Sequence, residues 1–241
     1  MKKYLLTALI FSLAMFACKQ EEPKQPVDSS PAIVGKCAKY AVNVYKDKER
    51  TAWRATLSKA EKVDLLSVEI ITNNKGAVAE VALVKLSDGS EGYLETKHLA
   101  DRAVVFTTDT SAYQRNNTGS RVTLTIPAGT LGFVIEEKAE WLQVYLGQID
   151  NVWRNQEWVN SGFSTEADLI TEAKLYEEAL AVLKNKDAKE SDRGAAIKKL
   201  DGLKTSALFS EKAENALTSL TGQKEDSSPA EQKEDADSEK P

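Results

Sequence analysis

Residues 81–95 read VALVKLSDGSEGYLE. An apolar run, Val81 to Leu86, enters Ser87-Asp88-Gly89-Ser90 and leaves as Gly92-Tyr93-Leu94. Asp-Gly between apolar runs marks a tight hairpin, because glycine accepts a positive φ at little steric cost. The hairpin makes the middle of the chain β, and the same pattern continues on both sides. Upstream, Leu66, Val68 and Ile70 alternate with polar residues, and Asn73-Asn74-Lys75-Gly76 supplies a turn. Downstream, Val122, Leu124 and Ile126 alternate again, Pro127-Ala128-Gly129 turns, and Phe133-Val134-Ile135 follows. Glu136 to Glu140 reads as a loop, Trp141 to Leu146 as a strand and Trp158-Val159 as its return.

The two sets correspond. Leu57-Ser58-Lys59-Ala60 stands opposite Ile126-Pro127-Ala128-Gly129, and Val81–Leu86 opposite Trp141–Leu146. Gly92-Tyr93-Leu94-Glu95 stands opposite Glu157-Trp158-Val159-Asn160, and the offset drifts between 60 and 69 residues, as loop insertions produce. This order of strands and turns resembles the bacterial SH3-like domain, a small five-stranded barrel common in cell-envelope proteins. Ala60 stands where that family's turn has Gly, and Val42-Asn43-Val44-Tyr45-Lys46 shortens its usual opening motif. The fold expected is therefore mainly β with an α C-terminal part. Two small SH3-like barrels, residues 36–103 and 104–163, precede a short helical hairpin or bundle over 164–221.

In that last part the apolar period lengthens. Leu169, Ala173, Tyr176, Leu180 and Leu183 recur at helical spacing, with Thr165 and Asp168 placed like a capping pair. Ile197, Leu200 and Leu203 form a second stripe, and Phe209, Ala213, Ala216 and Leu220 a third. Such stripes pack on one another or on the second barrel. Residues 222–241 carry no large apolar side chain and read as a disordered acidic tail.

The other end of the chain indicates location. Lys2 and Lys3 precede an uncharged run from Leu5 to Ala17, shorter than the ~20 residues that span a bilayer. Residues 1–17 read as a signal peptide with Cys18 at the cleavage point. Met15-Phe16-Ala17-Cys18 resembles the relaxed lipobox of spirochaete lipoproteins, which implies acylation of Cys18. Residues 18–35, rich in Pro, Ser and charge, read as a disordered tether. The molecule expected is lipid-anchored in the cell envelope, in the outer membrane, with its periplasmic or surface face left open.

Chemistry is sparse. The chain holds 32 basic and 37 acidic side chains, interspersed, which argues against a nucleic-acid partner. One histidine, His98, excludes metal sites built on paired His, so no metal or cofactor is expected. His98 reads as a solvated turn residue and Cys37 as a small buried hydrophobe. A Cys37–His98 hydrolase would need a further domain for which no chain remains, and no enzyme is expected. What remains is binding. Trp53 and Arg54 lie in a loop-like stretch, Tyr93 flanks the first barrel motif, and Trp153 and Arg154 sit in a polar insertion. These five are the candidate ligand-binding residues, while Trp141 and Trp158 fall at regular strand positions and read as core. The function expected first is a non-enzymatic envelope binding module for peptidoglycan stem peptides or envelope proteins. The alternative is a surface-exposed lipoprotein that binds host matrix or plasma proteins, and an envelope hydrolase comes last.

Overall fold

The computed structural model describes residues 34–72 and 76–225. The expected signal peptide, Cys18, nearly all of the tether and the turn at 73–75 lie outside the described residues. Seven strands form the first sheet: β1 (Val34–Ala38), β2 (Val42–Tyr45), β3 (Trp53–Leu57), β4 (Lys62–Thr72), β5 (Val78–Lys85), β6 (Glu91–Glu95) and β7 (Leu99–Ala100). Their order in space is β3-β2-β6-β5-β4-β1-β7. Asp101 alone separates this sheet from the next. The second contains β8 (Arg102–Phe106), β9 (Thr110–Tyr113), β10 (Val122–Ile126), β11 (Leu131–Lys138) and β12 (Trp141–Tyr145). A small hairpin, β13 (Gly147–Ile149) and β14 (Val152–Arg154), interrupts it before β15 (Glu157–Val159) and β16 (Phe163–Ser164). The order β10-β9-β15-β12-β11-β8-β16 repeats that of the first sheet strand for strand.

The inward faces repeat too. Ala38, Val44, Leu57, Ala82, Val84, Leu86, Leu94 and Leu99 form one core. Phe106, Ala112, Ile126, Leu142, Val144, Leu146, Val159 and Phe163 occupy the corresponding places in the other. Even the left-handed turn is kept: Ala60 (φ 62) stands for Gly129 (φ 82). Ala60 N donates to Ala38 O at 2.8 Å, as Gly129 N does to Phe106 O at 2.6 Å. Alanine accepts there the ~1–2 kcal/mol that its Cβ costs in that region.

The outward faces differ, and this difference places the helices. On β4 the outward residues beside β1 are Lys62 and Asp64, both exposed. On β11 their counterparts are Leu131 and Phe133, both fully buried. Three helices, α1 (Ala167–Lys184), α2 (Glu190–Gly202) and α3 (Ser210–Glu225), cover the apolar version. Ala173, Ala179, Ala196, Leu200, Leu203, Phe209 and Ala213 join Val105, Leu131 and Phe133 in a third core, which Cys37 and Ala100 of the first sheet complete. β8 is therefore buried on both faces, which explains its unbroken apolar run.

Several local expectations are corrected. Residues 136–138 are strand, not loop, because β11 runs on to pair Lys138 with Trp141. Trp53 and Arg54 belong to β3, and the supposed polar insertion is the β13–β14 hairpin. α1 starts at Ala167 with no side-chain cap from Thr165. Instead Glu166 N donates to Ser164 Oγ at 3.1 Å. Ile197 is 41% exposed, and its neighbour Ala196 takes the inward place. α3 continues through Glu225, past Gly222 where the tail was expected to begin.

Candidate functional site

The repeats meet along a furrow. The β1–β2 corner brings Lys39 and Tyr40 against Ile135 of β11, Tyr145 of β12 and Trp153 of β14, around a recess of ≈ 460 Å³. Tyr40 also lines a second recess of ≈ 520 Å³ with Asn43, Arg50, Glu95 and His98. Ile135 is shared with a third, of ≈ 220 Å³, which reaches Leu65, Val68 and Glu80. Shared lining residues thus string three openings into one track. The aromatic rings run in series: Tyr40 lies 5.5 Å from His98 and 6.0 Å from Tyr145, which lies 6.3 Å from Phe133.

Beyond the third recess the track continues on an arm. β4 and β5 stay paired out to Thr72 and Val78, past the point where β1 and β6 stop. In register, Val68, Ile70 and Val78 share one face of this arm, and they are 48%, 71% and 67% exposed. The second repeat has no such arm. Leu65 corresponds to Val134 and Val84 to Val144, which makes the first repeat nine residues longer between these points.

The sequence-derived residues divide. Trp153 is 63% exposed and belongs to the furrow. Arg154 turns away from it, 3.5 Å from the Glu157 carboxylate. Trp53, Tyr45 and Tyr93 form a cross-strand row on the outer face of the first sheet, because Tyr45 pairs with both. Arg54 lies at the β-bulge in β3, its Cδ close over Gly92. Trp53 (60% exposed), Arg54 and Tyr93 line none of the three recesses, and their row meets the second recess only through Tyr45, apart from Trp153 in the first. Trp141 and Trp158 are core, 5% and 6% exposed.

His98 is not a solvated turn residue. It ends a 3-10 turn and lies half-buried, with Tyr40 Oη 2.6 Å from its Nδ1. Burial pushes the imidazole pKa below its ordinary value; Glu95 opposes this, whereas Lys97, Lys39 and Arg50 reinforce it. The ring is thus neutral near pH 7, with its Nδ1 hydrogen-bonded to the Tyr40 hydroxyl. The repeat explains how sequence missed it. Lys39 N donates to His98 O at 3.0 Å as Thr107 N donates to Gly162 O at 2.8 Å, so His98 occupies the place of a glycine. Its hydrogen-bond partner, Tyr40, is far away in sequence.

The stability consequence has a definite sign. A depressed folded pKa means that the unfolded chain binds the proton more readily, so stability is full above about pH 6.5 and falls on acidification toward the folded pKa. Replacing the imidazole in His98→Asn should flatten the fall in Tm on acidification below about pH 6.5. Parallel Tm–pH curves for the two proteins would reject this.

Cys37 and His98 do not meet. Cys37 is 3% exposed and faces the third core. It lines a separate recess with Ile170 and Thr171. Burial, then Asp101, pushes its thiol up to about 11, so it stays protonated and unreactive at neutral pH. Among the described residues no cluster could hold a metal ion, and no helix is long and apolar enough to cross a membrane.

Fold and furrow define a tandem-repeat, mainly β protein with an open furrow at the repeat junction. The chain belongs to the family described as Lipoprotein LenA, whose model matches residues 5–231. It is accordingly a lipoprotein of the cell envelope. No curated protein matches the chain. Among solved structures it is similar to NlpC2 from Trichomonas vaginalis, at 9% identity over 62% of this chain and 56% of that one, with a TM-score of 0.23. NlpC1 from the same organism matches at 10% identity over 64% and 54%, also with a TM-score of 0.23. The chain thus spans about half the length of these structures, and a likeness this weak carries no argument.

Proposed function

We propose that this lipoprotein is a non-enzymatic binding protein of the bacterial surface. It is anchored in the outer membrane through lipid on Cys18 and presents two SH3-like barrels whose junction takes a protein partner. The observation that carries this is the track of aromatic and β-branched side chains that runs from half-buried Tyr40 and exposed Trp153 through half-buried Ile135 to exposed Val68, Ile70 and Val78. Contiguous apolar surface of this kind is uncommon on a soluble face without a partner. A wall stem peptide of a few residues would cover only one recess, whereas a protein covers the track. The relaxed lipobox resembles that of outward-facing spirochaete lipoproteins, which favours a host matrix or plasma protein over a wall ligand.

Two measurements test this. Protease shaving of intact cells should remove the protein, and the purified mature chain should bind immobilised matrix or plasma proteins better than purified sacculi. Resistance to shaving together with retention on sacculi would return the wall-peptide reading. Trp153→Ala should weaken partner binding by roughly 30-fold, the loss typical of an aromatic anchor, with Tm unchanged because the side chain is exposed. Unchanged affinity would remove the furrow from the binding surface.

A further inference from the structure

We infer that the furrow holds an extended acidic segment of its protein partner, with one carboxylate of that segment against the Lys39 ammonium and its neighbouring residues over Tyr40, Tyr145 and Trp153. This rests on the binding reading above and adds the chemistry of the ligand.

The charges along the furrow lead to this assignment. Arg50 and Lys97 both pair with Glu95. Lys36, at the third recess, pairs with Asp101. Lys39 differs. Among the described residues no carboxylate pairs with it, and its ammonium lies 5.2 Å from the centre of the Tyr145 ring. The side chain is half-buried, and burial pushes its pKa down with no acidic neighbour opposing the shift. A half-buried ammonium without a counter-ion is costly, and a ring face compensates only part of that cost. An incoming carboxylate would supply a charge-assisted hydrogen bond at the place where the protein supplies none.

The shape of the site selects an extended segment. The recesses lie in series, joined at Tyr40 and at Ile135, so a ligand lies along them rather than plugging one hole. Flat aromatic faces at Tyr40, Tyr145 and Trp153 suit a chain that offers apolar residues on either side of the acid. Among the described residues Lys39 is the one charged side chain lining the recess with Tyr145 and Trp153, while Glu49 and Glu80 line the recesses on either side, so the carboxylate is placed at Lys39 and not elsewhere along the track.

The test uses two labelled peptide probes, Pro-Leu-Asp-Leu-Pro and Pro-Leu-Asn-Leu-Pro, titrated into the mature protein and followed by NMR at Tyr40 and the Trp153 indole. The Asp probe should bind ~10-fold more tightly than the Asn probe. Lys39→Met should abolish that preference, bringing the two probes to equal affinity, and Lys39→Arg should keep it. Equal affinities in the wild type, or a preference that survives Lys39→Met, would overturn the inference while the furrow itself stands. If neither probe shifts either signal, the furrow reading fails and this inference with it. Displacement of the Asp probe by a synthetic peptide of residues 226–241 would make the chain's own tail the occupant and reject an external partner.

Discussion

Phe133→Asp should undock the helical layer and destabilise the protein more than any other single change in this chain. Phe133 is fully buried between β11 and the helices, within the core that Phe209, Leu200 and Ala173 complete. Truncation to Ala leaves a cavity and should cost ~3–5 kcal/mol. Asp costs more, because its carboxylate enters a fully buried, mostly apolar layer in which the nearby cation, Lys59 at 5.6 Å from the Phe133 ring centre, is already paired with Glu177. The corresponding residue of the first repeat is already Asp64, exposed at a recess that α1 walls on the other side but does not fill. Denaturant titration read by far-UV circular dichroism and tryptophan fluorescence checks this. The helical signal should be lost at lower denaturant than the fluorescence of buried Trp141 and Trp158. A loss below about 1 kcal/mol for Phe133→Ala would mean that the helices are held elsewhere.

Gly162→Ala should be nearly as damaging, through the backbone. Gly162 has φ +76, and a Cβ there would stand 2.0 Å from Thr110 Oγ1 and 3.1 Å from Thr108 Oγ1. Thr110 is itself buried and donates to Thr108 O at 2.9 Å, so it has little room to yield. Left-handed strain of ~1–2 kcal/mol adds to overpacking of ~1–3 kcal/mol. The total expected is about 3 kcal/mol by denaturant midpoint. Thr110→Ala in the same chain should recover part of the loss, because the two side chains compete for one space. Strict additivity of the pair would show that strain alone is responsible. His98 carries a side chain at the equivalent place in the first repeat, where φ is not positive and Tyr40 and Val42 replace the two threonines.

Much of the architecture was legible because period-2 patterning and turn chemistry are local. The hairpin at Asp88-Gly89, the matched motifs at Leu57 and Ile126, and the buried Trp141 and Trp158 follow from residues a few positions apart. The helical stripes were legible for the same reason, although Ile197 and Ala196 exchange roles where α2 turns its face. The binding surface was far less so. Trp153 stands out in sequence as an aromatic in a polar stretch, but Arg154 beside it is drawn off by Glu157. Trp53 and Tyr93 meet through Tyr45, at the second recess and away from Trp153. Lys39, Tyr40 and Tyr145 have no distinguishing local signal.

The sequence by itself determined that the chain carries one sheet twice, then helices, because side-chain alternation and turn residues act over a few positions. Only the tertiary structure decided which copy the helices cover, and that Lys39, Tyr40, His98, Tyr145 and Trp153 share one furrow. These residues come from strands and corners up to about a hundred positions apart, brought together by a junction of a single residue, Asp101. Burial, pairing and charge at such a junction depend on which surfaces touch, and no local pattern records that.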